Sequence, residues 1–266
     1  MADGPLTTFD SVAGSFSAYD ATLRGHVRYA VTRRNLIPYL EKRHLQILDV
    51  GGGSGPDSAW LVSQGHSVTI VEISKEQRLY AERRFNFFLS PPERALITMV
   101  EGQLCDVRAK PASFDVVLCH GVAMYQTEPR KFIAEVISWA KPGGIISLLE
   151  KGYYGAEARA IHRQNFDQLK KLHASQKIVN DMGFTVHAFT PDALEAIIEM
   201  SGAEVEHWSG VRVMTDRLNM LITNMSEPDI ETIVDAEFTQ GNNPGIRAQG
   251  QMLHFIARRN LSSATA

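Results

Sequence analysis

The chain has 266 residues, of which 44% are apolar and 21% charged, a composition typical of a globular protein and not of a disordered one. Its 27 Lys and Arg residues against 30 Asp and Glu give a formal net charge of −3, which excludes a general polyanion-binding protein; any nucleic acid would bind a local patch. Two cysteines, Cys105 and Cys119, are too few for a disulfide framework, and no apolar run reaches the ~20 residues of a membrane span. The first ten residues lack the order of a signal peptide, and we expect a cytoplasmic protein.

Strands and helices alternate through the first half of the chain. We expect residues 1–8 to form a loose tail and residues 19–40 to form a helix whose apolar side chains share one face. Short apolar runs predict strands at 46–50, 67–72, 95–100, 114–119 and 145–149. Helical patterns between these runs predict helices at 56–64, 74–87 and 128–140. This alternation predicts an α/β fold with a doubly wound parallel sheet.

The alternation is interrupted after the fifth predicted strand. Residues 151–189 are polar and partly helical, and they follow the strand at the edge of the sheet where ligands bind in open α/β folds. We therefore interpret them as a cap over a site. Thr190 and Pro191 favour the start of a helix that ends near Ser201. Further elements are predicted at 205–213 (strand), 230–238 (helix) and 252–258 (strand).

A glycine-rich loop directly follows the first strand. The sequence from Asp49 to Gly55 places glycines at alternate positions, which let the backbone approach a ligand closely. A dinucleotide site has the spacing G-x-G-x-x-G, whereas here Pro56 stands in the place of its third glycine. The acidic Asp49 before the loop would repel a pyrophosphate and suits a ligand that carries positive charge.

Two further acidic residues follow the next strands. Glu72 ends the second strand, about twenty residues after the loop, where a carboxylate accepts hydrogen bonds from both ribose hydroxyls. Asp106 follows the third strand, where an acidic side chain meets an adenine amino group. Together with Asp49, these positions indicate S-adenosylmethionine as the ligand.

From residue 45 to 149 the chain resembles the class I S-adenosylmethionine-dependent methyltransferases. The features that carry the resemblance are the glycine loop, Glu72, Asp106, His120 after the fourth strand and the Pro-Gly-Gly sequence at 142–144. The resemblance implies a Rossmann-like seven-stranded sheet of order 3-2-1-4-5-7-6 with strand 7 antiparallel. The residues expected to bind the methyl donor are Arg28, Asp49, Gly51, Gly52, Gly53, Glu72, Ile73, Leu104, Cys105, Asp106 and His120.

A closer resemblance, to the bacterial tRNA 5-carboxymethoxyuridine methyltransferases, extends over nearly the whole chain. It is carried by the segments 9–10, 23–28, 118–122, 164–167, 210–213 with Asp216, and 253–258. It implies that Arg28 pairs with the donor carboxylate. We accordingly divide one domain, 1–266, into an N-terminal helical lid (1–43), a donor-binding half (44–150), a cap insertion (151–189) and the C-terminal half of the sheet (190–260).

The methyl acceptor is less defined. If it is a carboxylate, as the resemblance implies, it is nucleophilic without a base, and arginine forks suit the task of holding it. Arg212 and Arg163 are the candidates for that role, with Tyr153 and Tyr154 as hydroxyl donors. His120 is a candidate base for a neutral hydroxyl acceptor, or it packs against the donor.

Three functions remain open at this point. The first is methylation of a modified wobble uridine in tRNA to a methyl ester, and the second is O- or N-methylation of a small molecule. The third is a donor-binding subunit without activity. The catalytic candidates are His120, Tyr153 and Arg212, and the expected partners are S-adenosylmethionine and either tRNA or a small anionic acceptor. We expect neither a metal, because the histidines at 162 and 173 have no suitable spacing, nor a membrane.

Overall fold

A computed structural model describes residues 5–41, 44–217 and 221–261 of the chain. The ten α-helices of these ranges are α1 (Pro5–Asp20), α2 (Leu23–Leu36), α3 (Pro56–Ser63), α4 (Lys75–Phe88), α5 (Pro91–Arg94), α6 (Pro129–Ser138), α7 (Tyr153–His162), α8 (Phe166–Ser175), α9 (Pro191–Met200) and α10 (Glu227–Gly241). Their strands are β1 (Gln46–Val50), β2 (Ser67–Glu72), β3 (Ile97–Glu101), β4 (Phe114–His120), β5 (Ala140–Lys151), β6 (Lys177–Val179), β7 (Thr185–His187), β8 (Ala203–Val211) and β9 (Met252–Arg259).

Seven of the strands form one mixed sheet of order β3-β2-β1-β4-β5-β9-β8. The first five are parallel, while β9 inserts between β5 and β8 and is antiparallel to both. Because β8 and β9 are the sixth and seventh strands of this sheet, the predicted order and the antiparallel last strand are confirmed.

Several predicted boundaries were wrong. Residues 1–4 lie outside the described residues, but the expected tail is helical from Pro5, where α1 begins. The helix predicted at 19–40 is interrupted because Thr22 caps a new helix, its Oγ accepting a hydrogen bond from the Gly25 amide. Gly25 is required there, since a Cβ would come 2.1 Å from the Tyr19 carbonyl oxygen.

Strand boundaries also differ, and the largest difference is in the fifth strand, which was predicted at 145–149 and spans Ala140–Lys151. The third strand begins at Ile97, because Ala95 completes the short helix α5. The strand predicted to reach Val213 ends at Val211, because Arg212 adopts a left-handed backbone with φ +58°. The Val213 amide then donates to Glu237 of α10 instead of to a neighbouring strand. The alternation of side chains along the strand therefore ends at Val211 and does not set the direction of the Arg212 side chain.

Helices cover both faces of the sheet. Helices α3 and α4 pack with β1 and β2 in one buried cluster, and α6 and α9 pack with β4, β5 and β9 in another. Helix α2 joins a third cluster, in which its Leu23, Val27 and Val31 are completely buried against β5, β8 and α10. Residues of the region that we interpreted as a lid therefore form part of the core.

The cap is built on a stem between β5 and α9. The Phe189 amide donates to the Lys151 carbonyl, and the Tyr153 amide donates to the Phe189 carbonyl. Helices α7 and α8 and the hairpin of β6 and β7, which the sequence did not predict, enclose a small core around Leu172 and Ile178. The division of the domain into lid, donor half, cap and C-terminal half stays a prediction.

Candidate active site

A cavity of about 1320 Å³ opens at the carboxyl ends of the parallel strands, between α1, α2, the glycine loop and the cap. It brings together most of the predicted site residues. Those that line it are Arg28, Gly51, Gly52, Gly53, Glu72, Ile73, Leu104, Cys105, His120, Arg163 and Arg212. Four of the candidates, Asp49, Asp106, Tyr153 and Tyr154, do not line it.

The glycine loop joins β1 to α3 and needs its glycines for two reasons. Gly51, Gly53 and Gly55 all have positive φ values, of +63°, +57° and +71°. A Cβ on Gly55 would also lie 2.5 Å from the Phe85 ring, so this turn packs directly on α4. The loop therefore leaves bare backbone facing the cavity, as close binding of a ligand requires.

Glu72 holds this loop from the neighbouring strand. Its Oε2 accepts a hydrogen bond from the Gly53 amide at 3.0 Å, and its Oε1 accepts one from the Ser74 amide at 2.8 Å. Burial raises the pKa of Glu72, and the two amide bonds oppose that rise. The carboxylate thus lies at the cavity wall with its orientation fixed by backbone donors.

Asp49 lies beneath the loop and not in the main cavity. It is buried, accepts a hydrogen bond from the Ser58 hydroxyl at 2.6 Å and borders a separate space of about 30 Å³, enough for one water molecule. Burial raises the pKa of Asp49 to about 6. Its Oδ2 would be 2.7 Å from a Cβ on Gly52, which explains why glycine occupies that position.

Asp106 also turns away from the cavity. Its Oδ2 accepts a hydrogen bond from the Gln103 amide at 2.8 Å and caps the single helical turn 104–106. The neighbouring Leu104 and Cys105 line the cavity, and the Cys105 side chain is exposed. A role for Asp106 at an adenine amino group stays a prediction.

Arg28 reaches the cavity from α2. Its Nη2 donates to the His120 carbonyl oxygen at 3.4 Å, and its guanidinium lies 4.7 Å from the centre of the Tyr29 ring. Asp20 and Asp57 are the nearby carboxylates that favour its charged form. The arginine is therefore a cation beside the glycine loop, where the donor carboxylate was expected.

Arg212 is buried at the cap end of the cavity. Its Nη1 donates to the Tyr19 hydroxyl at 2.9 Å, and its Nη2 donates to Asp216 at 2.8 Å. Among the described residues, its Nε has no hydrogen-bond partner. Arg163 also lines the cavity and pairs with Asp181 at 3.0 Å, but its side chain is 56% exposed.

The two tyrosines that we proposed as hydroxyl donors lie outside the cavity lining. Tyr153 packs on the apolar core of the cap, which accounts for its orientation, and its ring contacts that of Tyr154 edge to face at 5.5 Å. Tyr154 is 41% exposed. Neither side chain is placed to contact a ligand in the cavity.

Several residues that line the cavity were not predicted from the sequence. Lys151, at the end of β5, is buried, lines the cavity and donates to the Gln251 side chain at 2.7 Å. Burial, with the positive charges of Arg212 and Arg159 beside it, lowers the pKa of Lys151 to about 7. The spacing of Arg159 and Arg163 along α7 was the available signal, since residues four apart share one helix face.

Comparison with known proteins identifies the chemistry of this cavity. The family described as "Methyltransferase domain" matches residues 48–148. The tRNA 5-carboxymethoxyuridine methyltransferase of Escherichia coli K12 is 23% identical over 94% of this chain and 95% of its own length. The chain is an S-adenosylmethionine-dependent methyltransferase.

Solved structures agree with this fold. An S-adenosylmethionine-dependent methyltransferase of Methanosarcina mazei has a TM-score of 0.60 at 19% identity, with 85% of this chain and 98% of that chain covered. The 1,6-didemethyltoxoflavin-N1-methyltransferase of Burkholderia thailandensis, solved with bound S-adenosylhomocysteine, has a TM-score of 0.55 at 16% identity, with 98% and 92% covered. S-adenosylmethionine is the cofactor of this methyltransferase, and the role of the glycine loop in binding it stays a prediction.

The described residues contain neither a candidate metal site nor a candidate membrane span. Over residues 5–41, 44–217 and 221–261, no three His, Cys, Asp or Glu side chains lie in a group that could hold a metal ion. In the same ranges, no helix combines the length and apolar character needed to cross a bilayer.

Proposed function

We propose that this methyltransferase acts on an anionic acceptor, the carboxylate of 5-carboxymethoxyuridine in tRNA, and converts it to a methyl ester. The observation that carries this proposal is a cluster of cations at the cap end of the cavity. Its members are Arg24, Lys151, Arg159, Arg163 and Arg212.

Among the described residues, Asp181 and Asp216 are the carboxylates in ion pairs with Arg159, Arg163 and Arg212. Asp181 lies 2.5 Å from the Arg159 guanidinium and 3.0 Å from that of Arg163, and Asp216 lies 2.8 Å from that of Arg212. Arg159, Arg163 and Arg212 thus share two carboxylates, and an unmatched charge is costly at Arg212, whose side chain is only 8% exposed. A bound anion would balance it, and the unpartnered Nε of Arg212 offers a donor for a fork-like pair with a carboxylate.

A carboxylate acceptor requires no catalytic base. When bound, S-adenosylmethionine supplies a methyl group on a positively charged sulfur, so the carboxylate oxygen forms the new C–O bond while the C–S bond breaks and its electron pair stays on sulfur. The contribution of the protein is alignment of the two reactants and exclusion of water. Arg212 and Lys151 would hold the carboxylate in line with the methyl group.

The donor would occupy the opposite end of the cavity. On this proposal the Glu72 carboxylate accepts the ribose hydroxyls, Leu104 and Cys105 border the adenine, and Arg28 pairs with the donor carboxylate. The lengthwise similarity to the E. coli tRNA enzyme, which includes the cap, supports tRNA as the carrier of the acceptor.

A small anionic molecule is the second candidate acceptor. The observation in its favour is that α1 and the cap meet over the cavity. The Phe9 ring stacks on Phe184 at 4.9 Å and contacts Tyr125 edge to face at 5.2 Å, so the observed conformation suits a small acceptor without opening.

Transfer of radiolabelled methyl groups separates the two candidates. The enzyme is incubated with labelled S-adenosylmethionine and either tRNA that contains 5-carboxymethoxyuridine, tRNA that lacks it, or a small-molecule extract. We expect label in the first tRNA only, released by mild alkali as a methyl ester requires. Label confined to the small-molecule fraction would instead support the second candidate.

A further inference from the structure

We propose that His120 is a positioning residue and not a base, held as a neutral Nδ1–H tautomer by a directional chain of hydrogen bonds that starts and ends on α2. The chain crosses β4, β5 and β9 beneath the cavity. In order, its side chains are Arg33, Asp57, His120, Ser147, His254 and Asn35.

One end of the chain is an ion pair. The Nε of Arg33 donates to Asp57 at 3.0 Å, and the other oxygen of Asp57 lies 3.2 Å from Nδ1 of His120. An ionised carboxylate only accepts hydrogen bonds, so this contact requires a proton on Nδ1 of His120. Burial alone would raise the pKa of Asp57, but the hydrogen bond from His120 and the charge of Arg33 hold it below its usual range.

The other end fixes the direction of every remaining bond. The amide nitrogen of Asn35, a donor only, contacts Nδ1 of His254 at 3.3 Å and the Ser209 hydroxyl at 2.7 Å. His254 must therefore accept at Nδ1 and carry its proton on Nε2, which lies 2.8 Å from the Ser147 hydroxyl. Because the Ser147 oxygen accepts this hydrogen bond, the Ser147 hydroxyl donates its own single proton to Nε2 of His120, 2.8 Å away.

Both ring nitrogens of His120 thus form hydrogen bonds with other side chains of the protein. Nδ1 donates to Asp57, Nε2 accepts from Ser147, and the His120 side chain is only 7% exposed. The other charged or titratable groups that face it are Asp49 below the glycine loop, Arg28 from α2 and His254 from β9. Burial lowers the pKa of His254 well below its ordinary value, which agrees with a neutral ring.

Both ends of the hydrogen-bond chain lie on α2, which gives the chain a role in positioning that helix. Arg33 and Asn35 lie two residues apart on the helix that carries Arg28, and the backbone carbonyl of His120 itself accepts from Arg28. The buried chain of hydrogen bonds therefore fixes α2 against the sheet at both of its ends. Its effect on donor binding rests on the proposed contact between Arg28 and the donor carboxylate.

The tautomers of the wild-type protein test the proposal without any variant or substrate. Long-range ¹H–¹⁵N correlation spectra of the ¹⁵N-labelled protein near pH 7, assigned by through-space contacts, report which nitrogen of each histidine carries the proton. We expect opposite tautomers, Nδ1–H for His120 and Nε2–H for His254. A doubly protonated or Nε2–H ring at His120 would overturn the proposal, whatever acceptor the enzyme uses.

A second measurement tests the positioning role. Ser147→Ala interrupts the chain between the two histidines and leaves Nε2 of each without its partner, so we expect the Kd for S-adenosylhomocysteine to rise about tenfold. Ser138→Ala, on an exposed helix end, is the matched control and should leave the Kd unchanged. Equal Kd values for Ser147→Ala and wild type would show that the chain does not position the donor site.

The pH profile of activity separates a base from a positioning residue. His120→Asn keeps an N–H donor toward Asp57, whereas His120→Ala removes it. We expect His120→Asn to recover a substantial part of the activity that His120→Ala loses, with the shape of the pH profile unchanged. Equal losses in both variants, with disappearance of an acidic limb near the ordinary histidine pKa, would identify His120 as the base.

Discussion

The carboxylate of Glu72, at the end of β2, accepts a hydrogen bond at 3.0 Å from the amide of Gly53, in the loop that follows β1. This contact joins the acidic end of β2 to the glycine loop after β1, so the proposed ribose acceptor also shapes the loop that faces the ligand. A change at Glu72 therefore affects the donor site twice.

We expect Glu72→Ala to weaken binding of S-adenosylmethionine by roughly 1.5–3 kcal/mol, the range for hydrogen bonds to a charged group. Isothermal titration calorimetry measures this directly. Glu101→Ala is the control, because Glu101 pairs in register with Glu72 on β3 but is exposed. An unchanged donor affinity in Glu72→Ala would remove Glu72 from the donor site.

Substitution of Arg212 tests whether this residue binds the acceptor or only forms a structural ion pair. Arg212→Lys keeps the positive charge but loses the planar fork, so we expect the KM for the acceptor to rise at least tenfold while the Kd for the donor holds. Asp216→Asn removes the partner of Arg212 and leaves the fork intact. If both variants lower the Tm equally and neither changes the acceptor KM, Arg212 is a structural residue only.

Lys151 predicts a pH dependence of acceptor binding. Its pKa of about 7 in the folded protein means that it is a cation below that pH and neutral above it. An anionic acceptor should therefore bind more weakly as the pH rises through about 7. The measurement is kcat/KM for the acceptor, obtained from initial rates between about pH 6 and about pH 9.

Lys151→Met supplies the comparison for this pH profile. We expect the variant to lose the step near pH 7, whereas the donor Kd should stay the same at every pH. Glu150, whose pKa burial raises to about 8, is present in both proteins and cancels from the difference. A step that persists in Lys151→Met would assign the titration to another group.

Helix α1 closes the cavity through Phe9, which stacks on Phe184 of the cap. Phe9→Ala removes this stack, an interaction worth ~0.5–1.5 kcal/mol beyond the apolar area that it buries. We expect faster hydrogen exchange throughout α1 and unchanged exchange in the sheet, as measured by mass spectrometry. Exchange in α1 equal to that of the wild type would show that the stack does not hold the helix closed.

The sheet was predictable from the sequence because its strands are short apolar runs separated by strong helix and turn signals. The capping of α4 by Ser74 and the turn at the glycine loop follow from local chemistry alone. The boundary at Val211 was not predictable, because the turn that begins at the left-handed Arg212 is held by Glu237 of α10, which accepts from the Val213 amide 24 positions away.

The candidate site, too, contains residues that were predictable from the local sequence and residues that were not. Residues at the carboxyl ends of strands, such as Glu72 and His120, line the cavity as expected, since the ends of parallel strands meet at one edge. Asp106 follows its strand too, yet it turns back to cap its own turn. The cation Lys151 was missed because a lysine at a strand end gives no sign of burial until the cap folds over it.

The central claim is that the cation cluster of the cap binds the acceptor carboxylate. A crystal structure of the enzyme with S-adenosylhomocysteine and the nucleoside 5-carboxymethoxyuridine tests it most directly. We predict the carboxylate within hydrogen-bond distance of Arg212 and Lys151, with the adenine beside Leu104 at the other end of the cavity. A carboxylate bound away from Arg212, Lys151 and Arg159, with the cluster unchanged, would contradict the claim.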